Sequence, residues 1–333
     1  MRAQQLQRPG PIGDGPLIDG DLEDPIAGPG DLVVEVTVCA VCRTDLQLVE
    51  GDLPARSLPI TPGHQAVGHV VAVGERVTDW TVGDRAGIGW LAGTCGTCRF
   101  CTSGRENLCE TAVFTGWDRD GGYASRAIVR ADFALRMPTG RPDVELAPLL
   151  CGGVIGYRSL RASGIRPGGR LGLFGFGASA SLAIQIATHW TCDVFVATRS
   201  EPEQGRAREM GAVWAGGYDE AIPEPLDAAV TFAPAGDVVV AALAAVDRGG
   251  VVAVNAIHLD HVPQFDYDLL WWEREIRSVA NYTRADARDF LSIAAEIPIG
   301  TAVEEYPLAQ ANAALQDLKR GAIRGTAVLV SSQ

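Results

Sequence analysis

Apolar and polar positions alternate from Asp31 to Val38 (Asp-Leu-Val-Val-Glu-Val-Thr-Val), and the run is β-branched, so it predicts a strand that delivers Cys39 and Cys42 to its end. Before it, residues 1–30 are rich in Gly, Pro and Asp and read as an edge strand followed by exposed turns. After it, Gly68 to Val82 reads as a hairpin of a small β-barrel, closed by the turn Val82-Gly83-Asp84-Arg85. Alternation returns between Trp117 and Met137. From Leu146 to Ser163 the spacing becomes helical, with small residues. Apolar runs at Arg170–Phe174, Asp193–Thr198, Ala228–Phe232, Val251–Asn255 and Ile276–Ala280 then alternate with helical stretches such as Val238–Val246. That alternation predicts an α/β fold with a doubly wound parallel sheet. A helix through Ala285–Ala295 and a strand over Gly325–Val330 end the pattern.

At 333 residues the chain is too long for one ordinary core and fits two domains. No apolar run reaches the roughly 18 residues of a membrane span, and the N-terminal MRAQQLQRPGPIGDGPL lacks the apolar stretch of a secretory signal. A cytoplasmic protein with no membrane partner is expected. The net charge of -13 opposes binding to polyphosphates, so nucleic acid is not an expected partner either. In such a chain eight cysteines read as metal ligands or free thiols before disulfides.

Their spacing sorts them. Cys95, Cys98, Cys101 and Cys109, in Cys-Gly-Thr-Cys-Arg-Phe-Cys-Thr-Ser-Gly-Arg-Glu-Asn-Leu-Cys, can wrap one ion tetrahedrally and fill all four positions with sulfur. An iron–sulfur cluster is the rival reading. Cys42 and His64, separated by a Gly/Pro-rich loop, offer a thiolate and an imidazole suited to Zn²⁺; a third ligand with one open position would make that site catalytic. Cys151, in Ala-Pro-Leu-Leu-Cys-Gly-Gly at the handover to the nucleotide-binding pattern, is the best candidate for it. Cys39 and Cys192 read as packing, and His69 as a strand residue too near His64 to share one tetrahedral face.

The run Arg170-Leu-Gly-Leu-Phe-Gly175-Phe-Gly177-Ala-Ser-Ala180 places an apolar strand, a glycine turn and a helix in the order of the dinucleotide fingerprint, with the pyrophosphate at the helix N-terminus. A second strand about 20 residues on completes the required βαβ context. That strand ends in Thr198-Arg199-Ser200, with no carboxylate for a ribose 2′-hydroxyl. Arg199 offers a planar fork to a 2′-phosphate, with two hydroxyls beside it, so NADP(H) is expected in preference to NAD(H). The pair Trp271-Trp272 fits a subunit contact or a pocket.

Cys42-Arg43-Thr44-Asp45 followed by Pro62-Gly63-His64 resembles the zinc-dependent alcohol dehydrogenases of the medium-chain dehydrogenase/reductase superfamily, and the resemblance runs through nearly the whole chain. It implies a GroES-like β-barrel catalytic domain, residues 1–152 with 282–333, carrying a structural zinc lobe at about 90–112. A Rossmann domain over 153–281 follows. It implies one catalytic zinc on Cys42, His64 and Cys151 and one structural zinc on Cys95, Cys98, Cys101 and Cys109. Asp45 would orient His64, Thr44 would accept the alcohol proton, Arg43 would contact the cofactor pyrophosphate, and Trp90 and Leu91 would line the substrate pocket. The substrate would be a small alcohol or aldehyde, and the assembly a homo-oligomer, dimer or tetramer. A redox sensor without turnover and a zinc-independent quinone or enoyl reductase are the alternatives. Three positions depart from the family pattern: Gln47 stands where a relay histidine is common, Gln65 where a glutamate is usual beside the zinc ligand, and Thr326 where an arginine often follows Gly325. Arg324 is the expected substitute for that arginine.

Overall fold

A computed structural model describes residues 1–256, 259 and 261–331. The chain divides into two compact units: Met1–Cys151 with Thr283–Ala295 and Gly300–Gln333, and Gly152–Tyr282 with Glu296–Ile299.

The first unit is organised on the strand Asp31–Ala40. One of its edges pairs with Ala66–Val73; along the other, residues 31–35 pair with Arg126–Arg130 and residues 38–40 with Thr326–Val330, all antiparallel. A ten-residue strand that changes partner half-way, with two register shifts, bends the sheet around a core that includes Leu32, Val34, Val36, Ile60, Ile88 and Tyr123. Val303–Pro307 joins in parallel beyond Thr326–Val330, and Arg85–Ile88 and Leu135–Arg136 extend the opposite side.

Two boundaries differ from the expectation. The return arm of the hairpin is Arg85–Ile88, which pairs with Ala66–Val73, so residues 74–84 are a long loop rather than strand. Trp80 leaves the alternation there because it turns inward to 5% exposure, with Arg136 stacked 4.2 Å above it. Near the N-terminus a second strand, Leu17–Asp21, pairs with Arg2–Leu6 although its LIDGD sequence reads as turn.

The second unit holds a six-stranded, all-parallel sheet in the order Trp214–Gly216, Asp193–Ala197, Arg170–Phe174, Leu226–Thr231, Val246–Val254, Glu275–Ser278. The strand order reverses between Arg170–Phe174 and Leu226–Thr231, the point at which doubly wound sheets open a crevice beyond their carboxyl ends. The helices Ala178–His189 and Gly236–Ala245 pack on this sheet through residues such as Leu182, Ile186, Val239 and Leu243.

Candidate metal centres and dinucleotide cradle

Cys42 stands between the strand Asp31–Ala40 and the helix Arg43–Glu50. Asp45, three residues on, reaches back and accepts the Cys42 N–H through Oδ2 at 2.8 Å, which closes the helix start and fixes the carboxylate. The other oxygen, Oδ1, lies 3.0 Å from His64 Nδ1, so Nε2 is the nitrogen left for a ligand. Cys151 arrives from a distant segment, at the break between the turn Ala147–Leu150 and the helix Gly152–Ser163.

The donor atoms of Cys42, His64 and Cys151 all lie within 4.8 Å of one another, and the two sulfurs are 4.0 Å apart. Bonds of about 2.3 Å at tetrahedral angles put sulfurs about 3.8 Å apart, so the arrangement fits one zinc with a fourth position free. Electrostatics agree with that donor chemistry. Burial pushes the His64 imidazole down, but the Asp45 carboxylate and Cys42 outweigh it and lift it to about 10, so a proton and an ion compete for the ring. Hydrogen bonding from Cys151, and then His64 against the cost of burial, holds the Cys42 thiol well below its ordinary value, as an anionic ligand requires.

The residues placed around this site by resemblance fall in several environments. Thr44 is buried, with Oγ1 3.8 Å from Cys42 Sγ, whereas Arg43 is exposed. Trp90 meets the His64 ring edge to face at 4.8 Å, and Leu91 is buried beside it in the chain. Gln65 turns its amide toward the Ala40 carbonyl at 3.4 Å, so it serves the strand backbone. Arg324 is exposed in the first unit, with its N–H bonded to Glu304.

In the cysteine lobe the sulfurs of Cys95 and Cys101, Cys98 and Cys101, and Cys95 and Cys109 are 3.8, 3.5 and 3.6 Å apart. All four atoms lie within 4.8 Å of one another, which leaves room for one ion and none for a multi-iron cluster. Backbone N–H groups of Thr97 and Cys98 point at Cys95 and hold its thiol down to about 5. Gly96 and Gly104, at φ +74° and +68°, make the reversals that bring the four sulfurs together.

In the second unit Gly175 takes φ +90° and passes so close to Ala233 that a Cβ would meet its nitrogen at 2.8 Å. Gly177 precedes the helix Ala178–His189 without a side-chain cap, and a Cβ there would meet nothing within 4 Å. Gly177 and Ala178 are exposed, so this uncapped helix start is open to a ligand, and helix N-termini of this kind take a pyrophosphate. At the end of the adjacent strand, Thr231 Oγ1 is buried and has no hydrogen-bond partner among the described residues. These features fit a dinucleotide. Ala180 is fully buried in the helix, Thr198 is buried, and Arg199 and Ser200 are exposed. Ser200 Oγ also accepts the Glu203 N–H and caps the next helix, a use that its position in the sequence did not suggest.

Comparison with known proteins gives this geometry a family. Residues 28–139 match the alcohol dehydrogenase GroES-like domain. The chain is 48% identical, over 99% of its length and 97% of the relative's, to a probable alcohol dehydrogenase, AdhA, of Mycobacterium tuberculosis. It belongs to the zinc-dependent alcohol dehydrogenases of the medium-chain dehydrogenase/reductase superfamily. Among solved structures it resembles a cinnamyl alcohol dehydrogenase of Sorghum bicolor (TM-score 0.89, 26% identity, 99% and 97% of the two chains). It also resembles a cobalt- and zinc-bound thermostable alcohol dehydrogenase of Pyrobaculum aerophilum (TM-score 0.88, 25% identity, 99% of both chains).

For a zinc-dependent alcohol dehydrogenase, four residues that the sequence pattern did not single out stand near the sites. Phe114 and Trp117 stack with Trp90, with centroids 5.1 and 5.8 Å away, and extend an aromatic wall from His64. Tyr123 donates to Asp45. Tyr218 lies beside Thr198 and Arg199, where burial raises its phenol and the Arg199 charge and the Thr198 hydroxyl oppose that rise. Only the aromatic run Phe-Thr-Gly-Trp before the glycines of residues 121–122 offered a signal in advance.

Proposed function

We propose that the protein is an NADP(H)-preferring alcohol dehydrogenase with two zinc ions per chain, which interconverts alcohols and aldehydes whose apolar, ring-bearing part lies along Trp90, Phe114 and Trp117. The observation that carries this reading is the grouping of Cys42, His64 and Cys151 with one tetrahedral position left over. When bound, zinc there supplies Lewis acidity to the substrate oxygen, and the nicotinamide supplies the partner for hydride exchange. The chain's own residues do the rest. Asp45 keeps His64 in one tautomer and orientation, Thr44 takes or returns the hydroxyl proton, and the aromatic wall excludes water and orients the substrate. Gln47 has no ionisable group, so proton passage beyond Thr44 relies on water or the cofactor ribose.

Arg43 and Arg324 are assigned to the cofactor phosphates, Gly175, Gly177 and Ala180 to the pyrophosphate turn, and Thr198, Arg199 and Ser200 to the adenosine 2′-phosphate. A homo-oligomer, dimer or tetramer, is favoured by the edge strand Glu275–Ser278, whose four residues are all exposed beside half-exposed Trp271 and Trp272. Among the described residues no helix is long and apolar enough to cross a membrane, which is compatible with action in the cytoplasm. Metal content and the oxidation of NADPH and NADH with a panel of benzylic, cinnamyl and short aliphatic aldehydes test the whole reading. Turnover without zinc, or none with any aldehyde, would overturn it.

A further inference from the structure

The loop that carries His64 is held by a second stretch of chain. Gly121, Gly122 and Tyr123 donate their backbone N–H groups to the carbonyls of Thr61, Gly63 and Pro62 at 2.7, 2.9 and 2.9 Å, and Asp120 Oδ1 accepts the Thr61 N–H at 2.8 Å. Gly63, at φ +97°, has no room for a side chain, because a Cβ there would lie 2.3 Å from Cδ1 of the Tyr123 ring. The ring of Tyr123 therefore lies against the residue that precedes His64, and it is fully buried.

Its hydroxyl ends 3.2 Å from Asp45 Oδ2, the oxygen that also accepts the Cys42 N–H, while Oδ1 meets His64 Nδ1. Asp45 is 3% exposed and His64 1%, so no bulk water competes for this carboxylate. A buried carboxylate with one donor on Oδ1 and two on Oδ2 has its plane fixed, and the direction of the His64 ring follows from that plane. We propose that Tyr123 is a positioning residue for the ion site, its hydroxyl holding Asp45 so that Asp45 aims His64 at Cys42 and Cys151. The device spans three separated segments: the Cys42–Asp45 helix start, the Pro62–His64 loop and the Gly121–Tyr123 stretch. It rests on the reading of Cys42, His64 and Cys151 as ligands of one ion.

Tyr123→Phe removes one oxygen and keeps the ring against Gly63. In zinc-loaded protein treated with a chelator under a colorimetric zinc indicator, the ion of the Cys42 site should leave ten- to a hundredfold faster than in wild type, the range typical of partners one step removed from a metal. The ion of the cysteine lobe should leave at its wild-type rate, which makes it an internal control. With Co²⁺ in the Cys42 site, the visible ligand-field bands should shift in Tyr123→Phe. In an Asp45→Asn background, Tyr123→Phe should add little, because the hydroxyl acts through that carboxylate. Unchanged release and unchanged bands overturn the proposal. So does equal acceleration of both ions, which would signal general loosening, and so does full additivity with Asp45→Asn. A wild-type protein that holds a single, chelator-resistant ion would overturn the ligand reading together with it.

Discussion

Glu106 Oε1 accepts two bonds from Arg284, the backbone N–H at 3.0 Å and Nε at 3.3 Å. One residue belongs to the cysteine lobe, and the other opens the helix Arg284–Glu296 just after the chain returns to the first unit at Thr283. Arg284 also lies 4.4 Å over the Phe133 ring and pairs with Asp132, so the lobe is tied to the barrel by a side chain gripped on three sides. Glu106 is 6% exposed, and losing the charge of a buried, charge-assisted bond costs about 1.5–3 kcal/mol. Glu106→Gln should lower the unfolding free energy by that amount without changing kcat for the metal-loaded enzyme. A variant with wild-type denaturant midpoint would show the tie to be idle.

The two ion sites should answer differently to loss of one sulfur. Under the proposed two-zinc reading, Cys98→Ser breaks a closed four-sulfur cage, and an ion held there contributes directly to folding, so the melting temperature should fall while residual folded protein still turns over. Cys151→Ser should leave the melting temperature close to wild type. It should lower kcat/KM by more than about a hundredfold, because Lewis-acid stabilisation is worth several kcal/mol. Zinc stoichiometry and melting curves for the two variants check this, and a swapped pattern would reverse the assignment of the sites.

The grouped cysteines, the glycine turn between strand and helix and the alternating strands were legible because each is a local pattern: cysteine intervals of two and seven, a strand followed by Gly-Phe-Gly, a period of two. Tyr123, Phe114, Trp117 and Glu106 were not. Their roles arise when residues 113–123 fold onto Pro62-Gly63-His64 and when Arg284 comes back to a lobe 178 residues earlier in the chain, contacts that no spacing encodes. The missed strand Leu17–Asp21 has a related cause. Its Gly and Asp oppose strand structure locally, and pairing with Arg2–Leu6 overrides them.

Trp117 should set substrate preference. Its ring stacks with Trp90 and Phe114, carries Arg56 3.6 Å above it, and is pinned by Nε1 donating to the Pro54 carbonyl. An aromatic pair adds about 0.5–1.5 kcal/mol beyond burial, so Trp117→Leu should lower kcat/KM for benzylic and cinnamyl substrates roughly two- to tenfold. Short aliphatic alcohols should be affected less. Equal losses across both classes would mean that the ring supports the loop and does not meet substrate.

Glu50 gives an acid dependence whose sign is fixed. Its carboxylate accepts the Ile12 N–H at 3.0 Å and Lys319 Nζ at 2.7 Å, and these, in that order, hold it below the ordinary value of 4.5. A lowered value in the folded state means that the charged form is favoured by folding. The contribution is thus present above about pH 4.5 and is lost as pH falls through the lower, folded value. Solvent at the Lys319 end limits it to about 1 kcal/mol. Glu50→Gln should be less stable than wild type at pH 7, and the gap should close below pH 4.5. A gap of constant size at both pH values would contradict the linkage.

In the proposed reading, cofactor choice turns on Thr198-Arg199-Ser200 and on Tyr218, which the fold brings alongside Thr198. The end of the strand Asp193–Ala197 is held by two bonds: the Thr198 N–H donates to the Gly216 carbonyl at 2.8 Å, and Gln204 Nε2 donates to the Thr198 carbonyl at 2.8 Å. Neither uses the side chain of Arg199, which is exposed, so its planar cation can meet a phosphate, while the buried Thr198 hydroxyl lies against Tyr218. Charge-assisted bonds of this kind are worth about 1.5–3 kcal/mol, which predicts a preference for NADPH over NADH of roughly ten- to a hundredfold in kcat/KM. Ionic strength should narrow that ratio, because a 2′-phosphate bound by the exposed Arg199 would lie near solvent. Thr198→Asp places a carboxylate where the ribose diol of NADH can donate to it and where a 2′-phosphate is repelled, so the preference should reverse. Arg199→Ala should bring the two cofactors close to parity by weakening NADPH alone. If wild type prefers NADH, or if Arg199→Ala weakens both cofactors equally, Arg199 is a solvated surface charge and the selectivity lies elsewhere.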